Sequence, residues 1–184
     1  MPSYHSKFNG LETPKAWGIP IMDFKTDKTP TLDYTKLSVP INEMELDIID
    51  EGIIYFRANV LFKNFSIDGD ADKLLVYITV FIQKCLEKAN NSDPNVAKTN
   101  IKALIDGCEY IPKTENFFNI LTTQNQNAQE LVQLQKYLKS IRKEVVQRLI
   151  HLLFDDPKTS MDLPFWLGLG KKKFMGYDMQ ILKK

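Results

Sequence analysis

Residues Asp47–Lys88, DIIDEGIIYFRANVLFKNFSIDGDADKLLVYITVFIQKCLEK, decide the fold. They hold two apolar blocks too long and too unbroken for an exposed face. The first runs from Ile48 to Phe65 through Ile49, Ile53, Ile54, Phe56, Val60, Leu61 and Phe62. The second, Leu74–Ile82, has Thr79 as its only non-aromatic polar residue. Between them SIDGDAD supplies a stop at Gly69, a capping carboxylate at Asp68 or Asp70, and Asp72 near the positive end of the second block. The reading is two helices joined by a tight turn, and helices apolar nearly all round belong in the middle of a core. LLVYITVFI is also rich in β-branched and aromatic residues, and so short a run cannot be typed by periodicity alone. Length favours a helix: the pattern continues through Cys85, Leu86 and Ala89, about 18 residues in all, which is long for a strand. Gln83, Lys84, Glu87 and Lys88 arrive too soon for a membrane span of about 20 apolar residues.

On the N-terminal side, residues 1–45 carry five of the nine prolines, and no helical period survives that density. Phe8, Leu11, Trp17, Ile19, Ile21, Phe24, Leu32, Tyr34, Leu37, Val39 and Ile41 recur singly instead. A free tail seldom holds so many apolar residues. The expectation is an extended arm, 1–45, packed on a helical body, 46–184, with a short strand pair around GIPIM, the whole forming one domain.

On the C-terminal side, Asp93 can cap and Pro94 can open a helix of about Pro94–Asp106, closed by Gly107. Val96, Ala97, Ile101, Leu104 and Ile105 lie on one side of it. The next stretch, around Ile111–Pro112, is irregular, with Phe117, Phe118, Ile120 and Leu121 to bury. From about Ala128 to Phe154, Leu131, Leu134, Leu138, Ile141, Val145, Leu149 and Leu152 form one helical stripe about 40 Å long. Val132, Tyr137, Val146, Ile150 and Leu153 widen that face beyond a coiled-coil seam, which favours packing within one domain. The last segment differs in kind. Phe165, Trp166, Lys171, Lys172, Lys173, Phe174 and Met175 bring aromatic and basic side chains into a short, Gly-containing stretch suited to a contact surface. The plainer reading tucks Trp166 and Phe174 into the core and leaves the lysines in water.

The 184 residues suffice for one domain that buries roughly 70% of its unfolded surface. Hydrophobic residues make up 43% and charged residues 26%, which argues against wholesale disorder. A net charge of +1 argues against a protein built mainly to hold nucleic acid. Cys85 and Cys108 alone make no disulfide framework, and MPSYHSKFNG lacks the apolar centre of a signal peptide, so the cytosol is expected.

Chemistry is not evident. His5 and His151 are isolated, and no HExxH or CxxC occurs to bind zinc. GLGKKK lacks the spacing of a phosphate loop. DGDAD starts like a calcium loop but has Lys73 where the sixth-position Gly belongs and Thr79 where the twelfth-position Glu belongs. Neither a cofactor nor a metal is expected. A small adaptor that binds nucleic acid or acidic membrane through KKKFM is the alternative to a protein-docking role.

The core stretch, the opening MPSYHS, the segment YLKSIRKEVVQRL with FDDP after it, and the ending with Phe165-Trp166 and KKKFM resemble, in order, the 21-kDa subunit 3 family of the actin-related protein 2/3 complex. That family usually has two tryptophans where Phe165-Trp166 stands. The resemblance implies a mainly helical, non-catalytic, cofactor-free subunit of a seven-protein assembly in the cytoplasmic actin cytoskeleton. It implies contact with actin-related protein 3 and the other subunits, and attachment to a mother actin filament from which a branch is nucleated. ATP hydrolysis belongs to the actin-related subunits. Phe165, Trp166, Lys171, Lys172, Lys173, Phe174 and Met175 are the expected partner-binding residues.

Overall fold

The computed structural model describes residues 3–26, 46–91, 93–107, 121–122, 127–155 and 163–179. A two-residue strand pair, β1 (Lys15–Ala16) and β2 (Ile19–Pro20), is followed by helices α1 (Ile48–Asn59), α2 (Asp70–Ala89), α3 (Pro94–Gly107), α4 (Ala128–Ile150) and α5 (Leu163–Gly170). The chain is mainly helical. Leu74–Ile82 is helix, so the strand reading of that block is excluded.

Helix α2 is the hub and touches α1, α3, α4, α5 and β2. Every residue from Leu74 to Leu86 is buried. Thr79 stays satisfied there because its hydroxyl donates to the Leu75 carbonyl at 2.8 Å. Gly52 sets the approach of α1 to α2: a Cβ at that position would stand 2.3 Å from Ile78 Cγ2. A glycine in mid-helix weakens the helix, and the close crossing is what it permits.

Two local expectations need correction. Helix α1 ends at Asn59, and residues 60–69 connect it to α2, so the link is no tight turn; Leu61 lies 49% exposed on that connection instead of in the core. Nor does Asp68 or Asp70 cap α2. The N-cap is Gly69, without a side-chain bond, and the Asp72 amide donates to Asn9 Oδ1 at 3.1 Å. The acids are engaged elsewhere: Asp70 by Lys15 and Lys73, Asp72 by the N-terminal arm.

The stripe on α4 is core. Leu134, Leu138, Ile141, Val145 and Leu149 are fully buried, so the coiled-coil alternative fails, while Val132 faces water. The α-helix spans 23 residues, about 35 Å, capped by Asn127 through the Gln129 amide at 2.9 Å. It then widens into one π turn, His151–Asp155, which lets both Leu152 and Leu153 face inward. Helix α3 buries Ala97, Ile101 and Leu104, and Asp93 caps it through the Asn95 amide at 2.8 Å; Val96 faces water.

Residues 3–26 pack on the helices as an arm. Its hairpin turns through Trp17 and Gly18, with φ of 53° and 78°, the positive-φ pair that a two-residue hairpin needs. The Trp17 indole N–H donates to the Asn127 carbonyl at 3.0 Å, and Tyr137 donates to and accepts from Met22, both at 3.0 Å. The expectations for residues 27–45, and for Ile111–Pro112, Phe117, Phe118 and Ile120, lie outside the described residues. Leu121 is fully buried.

Candidate docking surface

Helix α5 begins against α1, where Trp166 stacks on Phe56 with ring centroids 6.0 Å apart and an interplanar angle of 8°. It ends against α2. Gly170 sits where a Cβ would be 2.5 Å from Leu86 Cβ. Beyond it, Lys171, Lys172 and Lys173 are exposed. Phe174 then returns to the core, edge-on to Phe65 at 5.6 Å. Its amide donates to Gln83 Oε1 at 2.8 Å, and the next amide, of Met175, donates to the Phe62 carbonyl at 3.1 Å. Met175 has φ of 52°, a left-handed conformation unusual for a side-chain-bearing residue and held by these flanking bonds. Downstream, Lys84 pairs with Glu87 at 3.0 Å and Asp178 at 3.2 Å. Burial acts to lower the Lys84 ammonium pKa, and the two carboxylates outweigh it and hold it above its usual value.

The segment read as one contact surface therefore divides. Trp166 and Phe174 are 4% and 1% exposed and act as core anchors, as the plainer reading expected. Phe165, 48% exposed, and the three lysines remain outside, with Met175 half-buried. The fold adds Arg57 and Lys63, which the linear sequence did not single out, and moves Leu61 from the expected core to the surface. Arg57 lies over the Phe165 ring at 5.2 Å, Leu61 follows four residues later on the connection after α1, and exposed Lys63 comes just after the Phe62 carbonyl that Met175 grips. Phe165, Leu61, Lys63 and the three lysines are thus all exposed, and Arg57 lies against Phe165. The only linear signal for Arg57 and Leu61 was their four-residue spacing, and it was masked by the apolar run around them.

Other ionic groups hold the body together. Arg148, 2% exposed, donates to Asp47 at 2.7 Å through each of two nitrogens, to Asp50 at 2.8 Å and to the Lys25 carbonyl at 2.7 Å. Asp47 is at the same time the N-cap of α1 in a reciprocal box with Asp50. Burial raises the Asp47 pKa, but the hydrogen bonds and charge of Arg148 prevail and keep it below the usual carboxylate value. Arg142, fully buried, closes the end of α3 by donating to the Ile105 carbonyl at 2.9 Å and reaches the Tyr77 hydroxyl at 3.1 Å.

The N-terminal strap is held by two buried acids. Glu51 accepts from the Ser6 hydroxyl at 2.6 Å and the Lys7 amide at 3.0 Å; Asp72 accepts from the Ser6 amide at 2.8 Å. Burial raises the Glu51 pKa, and the Ser6 and Lys7 bonds offset this only in part. Ser3 Oγ, His5 and Asp72 line up in the order of a hydrolytic triad, at 3.2 and 2.8 Å. However, Asp68 also sits on His5 Nε2 at 3.3 Å, so a carboxylate competes for the nitrogen that a nucleophile would need. The imidazole bridges two acids and fastens the arm. Among the described residues, no group of three or more His, Cys, Asp or Glu could hold a metal ion, and no helix is long and apolar enough to cross a membrane.

A helical body strapped by its own termini, with a basic–aromatic edge turned outward, has the make-up of a docking subunit. Comparison with known proteins identifies the family. The model of the P21-Arc family, the ARP2/3 complex ARPC3 (21 kDa) subunit, matches residues 1–179, and the chain belongs to that family. Actin-related protein 2/3 complex subunit 3 of Schizosaccharomyces pombe is 33% identical over 179 residues, covering 95% of this chain and 98% of the relative. The Arabidopsis thaliana protein of the same name is 35% identical over 178 residues, 94% of this chain and 96% of its own. The probable subunit 3 of Caenorhabditis elegans is 32% identical over 180 residues, 95% of this chain and 94% of its own.

Proposed function

We infer that this chain is a structural, non-catalytic subunit of an ARP2/3 complex, supporting branched actin nucleation in the cytoplasmic actin cytoskeleton. The observation that carries the reading is the family match over residues 1–179. Arm 1–45 and body 46–184 act as one unit, a rigid bracket beside actin-related protein 3 and the other subunits. It works by contacting the inactive and active arrangements of its neighbours differently. The docking edge is Phe165, Lys171, Lys172, Lys173 and Met175, extended by Arg57, Leu61 and Lys63. Trp166 and Phe174 hold that edge in place from the core. An apolar centre inside a cationic rim suits an acidic partner such as an actin filament, and the charges set association rate and orientation more than affinity.

The test replaces Lys171, Lys172 and Lys173 by Ala in the reconstituted complex and counts filament branches over a range of salt. Fewer branches at low ionic strength are expected, with the deficit narrowing as salt screens the wild-type charges. Equal branching across the whole range would remove the docking edge from the account.

A further inference from the structure

Lys171, Lys172 and Lys173 sit between two fixed points on one helix. At the first, Gly170 ends α5 against α2, with no room for a Cβ beside Leu86, and the Lys172 amide donates to the Leu169 carbonyl at 2.9 Å. At the second, Phe174 turns into the core and its amide donates to Gln83 Oε1 at 2.8 Å. Gln83 and Leu86 both lie on α2 at a spacing that puts them on one face. After Phe174 the chain makes a tight turn. The Tyr177 amide donates back to the Phe174 carbonyl at 2.9 Å, and the central pair, Met175 and Gly176, have φ of 52° and 75°. Positive φ at both centres is the geometry of a two-residue hairpin turn, whose first N–H ordinarily meets the last carbonyl. Here a side chain bridges those two groups. Gln83 accepts from the Phe174 amide, and its Nε2 donates to the Tyr177 carbonyl at 3.4 Å. Gln83 is 3% exposed on a largely apolar stretch of α2, where a carboxamide needs partners at both ends, and the turn supplies them.

We propose that Gln83 is a positioning residue for docking: it holds the turn of residues 174–177 and thereby fixes the direction in which Lys171, Lys172 and Lys173 leave the surface. The inference rests on the reading of those lysines as partner-binding. A side-chain-bearing residue at positive φ is disfavoured unless its surroundings hold it. For Met175 the surroundings are the Gln83 bridge on either side of it and the Phe62 carbonyl, which accepts from its amide at 3.1 Å. Without the bridge the turn is free to open, and the bond from the Gly176 amide to the Lys173 carbonyl, at 3.2 Å, opens with it. The chemistry is specific to a carboxamide of this length. An ionised Glu accepts but cannot donate, and Met, of similar length, does neither. Once the turn opens, the lysines keep their charge and lose their fixed direction. A loop that must be ordered at the moment of docking binds more weakly than one ordered beforehand.

The test is a double-mutant cycle in the reconstituted complex, at low ionic strength and subsaturating complex. Branches are counted for wild type, Gln83→Met, the Lys171→Ala/Lys172→Ala/Lys173→Ala variant, and the chain carrying all four changes. Gln83→Met alone should lower branching about threefold or more, since apparent affinity falls with the fraction of loops in the binding geometry. Added to the triple variant it should change nothing, because no charge is left there to aim. Trypsin should cut the Gln83→Met chain after Lys171, Lys172 or Lys173 severalfold faster than wild type, with the rate after exposed Lys102 unchanged. Gln83→Glu, which keeps the acceptor and loses the donor, should branch at a level between wild type and Gln83→Met, and it carries the same comparison if the Met chain does not assemble. Three results overturn the proposal: wild-type branching by Gln83→Met beside a deficient triple variant, an equal loss from Gln83→Met in both backgrounds, or cleavage that accelerates as much after Lys102 as after the three lysines. The second marks a purely structural role and the third a general loosening. Wild-type branching by the triple variant is a separate failure, which removes the docking reading and this inference with it.

Discussion

Replacing Arg148 by Met is the sharpest probe of how the body is held. The side chain is 2% exposed and bonds to Asp47, Asp50 and the Lys25 carbonyl, so its removal leaves two buried carboxylates without the guanidinium that neutralises them. Breaking a buried pair from one side costs about 3–5 kcal/mol. The same atoms of Asp47 cap α1, so a carboxylate that turns away in search of water also loosens the first helix. For a chain of this size the loss corresponds to a fall in Tm of roughly 6–20 °C. The pH dependence identifies the cause. The Asp47 pKa is held low in the fold, so its contribution is fully present above the unfolded value and lost as pH falls through the folded one. Without Arg148, burial, the largest influence and one that raises the pKa, is opposed only by the amides of Asp50 and Lys25. The variant therefore suffers most near pH 7, and its deficit against wild type shrinks toward about pH 4, where the carboxyls take up protons. Urea unfolding followed by circular dichroism, at about pH 7 and pH 4.5, measures both effects. Adding Asp47→Asn and Asp50→Asn to the Met variant should recover much of the loss at neutral pH. A loss under about 1 kcal/mol, or one that is identical at the two pH values, would refute the buried-charge argument.

Leu138→Ala removes a fully buried side chain from the α4 stripe and should cost about 2–5 kcal/mol, read as a lowered urea midpoint; an unchanged midpoint would mean that the stripe is not core. Gly52→Ala gains helix propensity but meets Ile78 Cγ2 at 2.3 Å, so it should lower stability by about 1–3 kcal/mol in the same assay, and a rise in stability would show that α1 and α2 cross less closely. Glu51→Ala frees the Ser6 hydroxyl and the Lys7 amide; tryptic cleavage after Lys7 should accelerate while the helical circular dichroism holds, and an unchanged cleavage rate would mean that other contacts suffice to hold the strap.

The helices were legible because their signals are local. The unbroken apolar run of α2, the stripe on α4 and the Asp93-Pro94 start each lie within one element, and each appears where the pattern put it. What was not legible depends on partners distant in sequence. Arg142 and Arg148 sit beside stripe residues and carry no local signal of burial, yet both are buried because Ile105, Tyr77, Asp47 and Asp50 arrive from other elements. Asn9 caps α2 from 63 residues away, a bond that no spacing rule contains. Leu61 was counted with the core because the apolar run did not show where α1 stops. The C-terminal segment was legible in composition and not in direction: aromatic residues adjacent in the chain, Phe165 and Trp166, point to water and to core respectively, as neighbouring helix positions do.

The most direct test is to tag the chain in its own cells, purify it under native conditions and identify what elutes with it. The account predicts a stoichiometric assembly containing two actin-like proteins, stable through gel filtration. Elution of the folded chain alone, with no actin-like protein in any fraction that contains it, would contradict it.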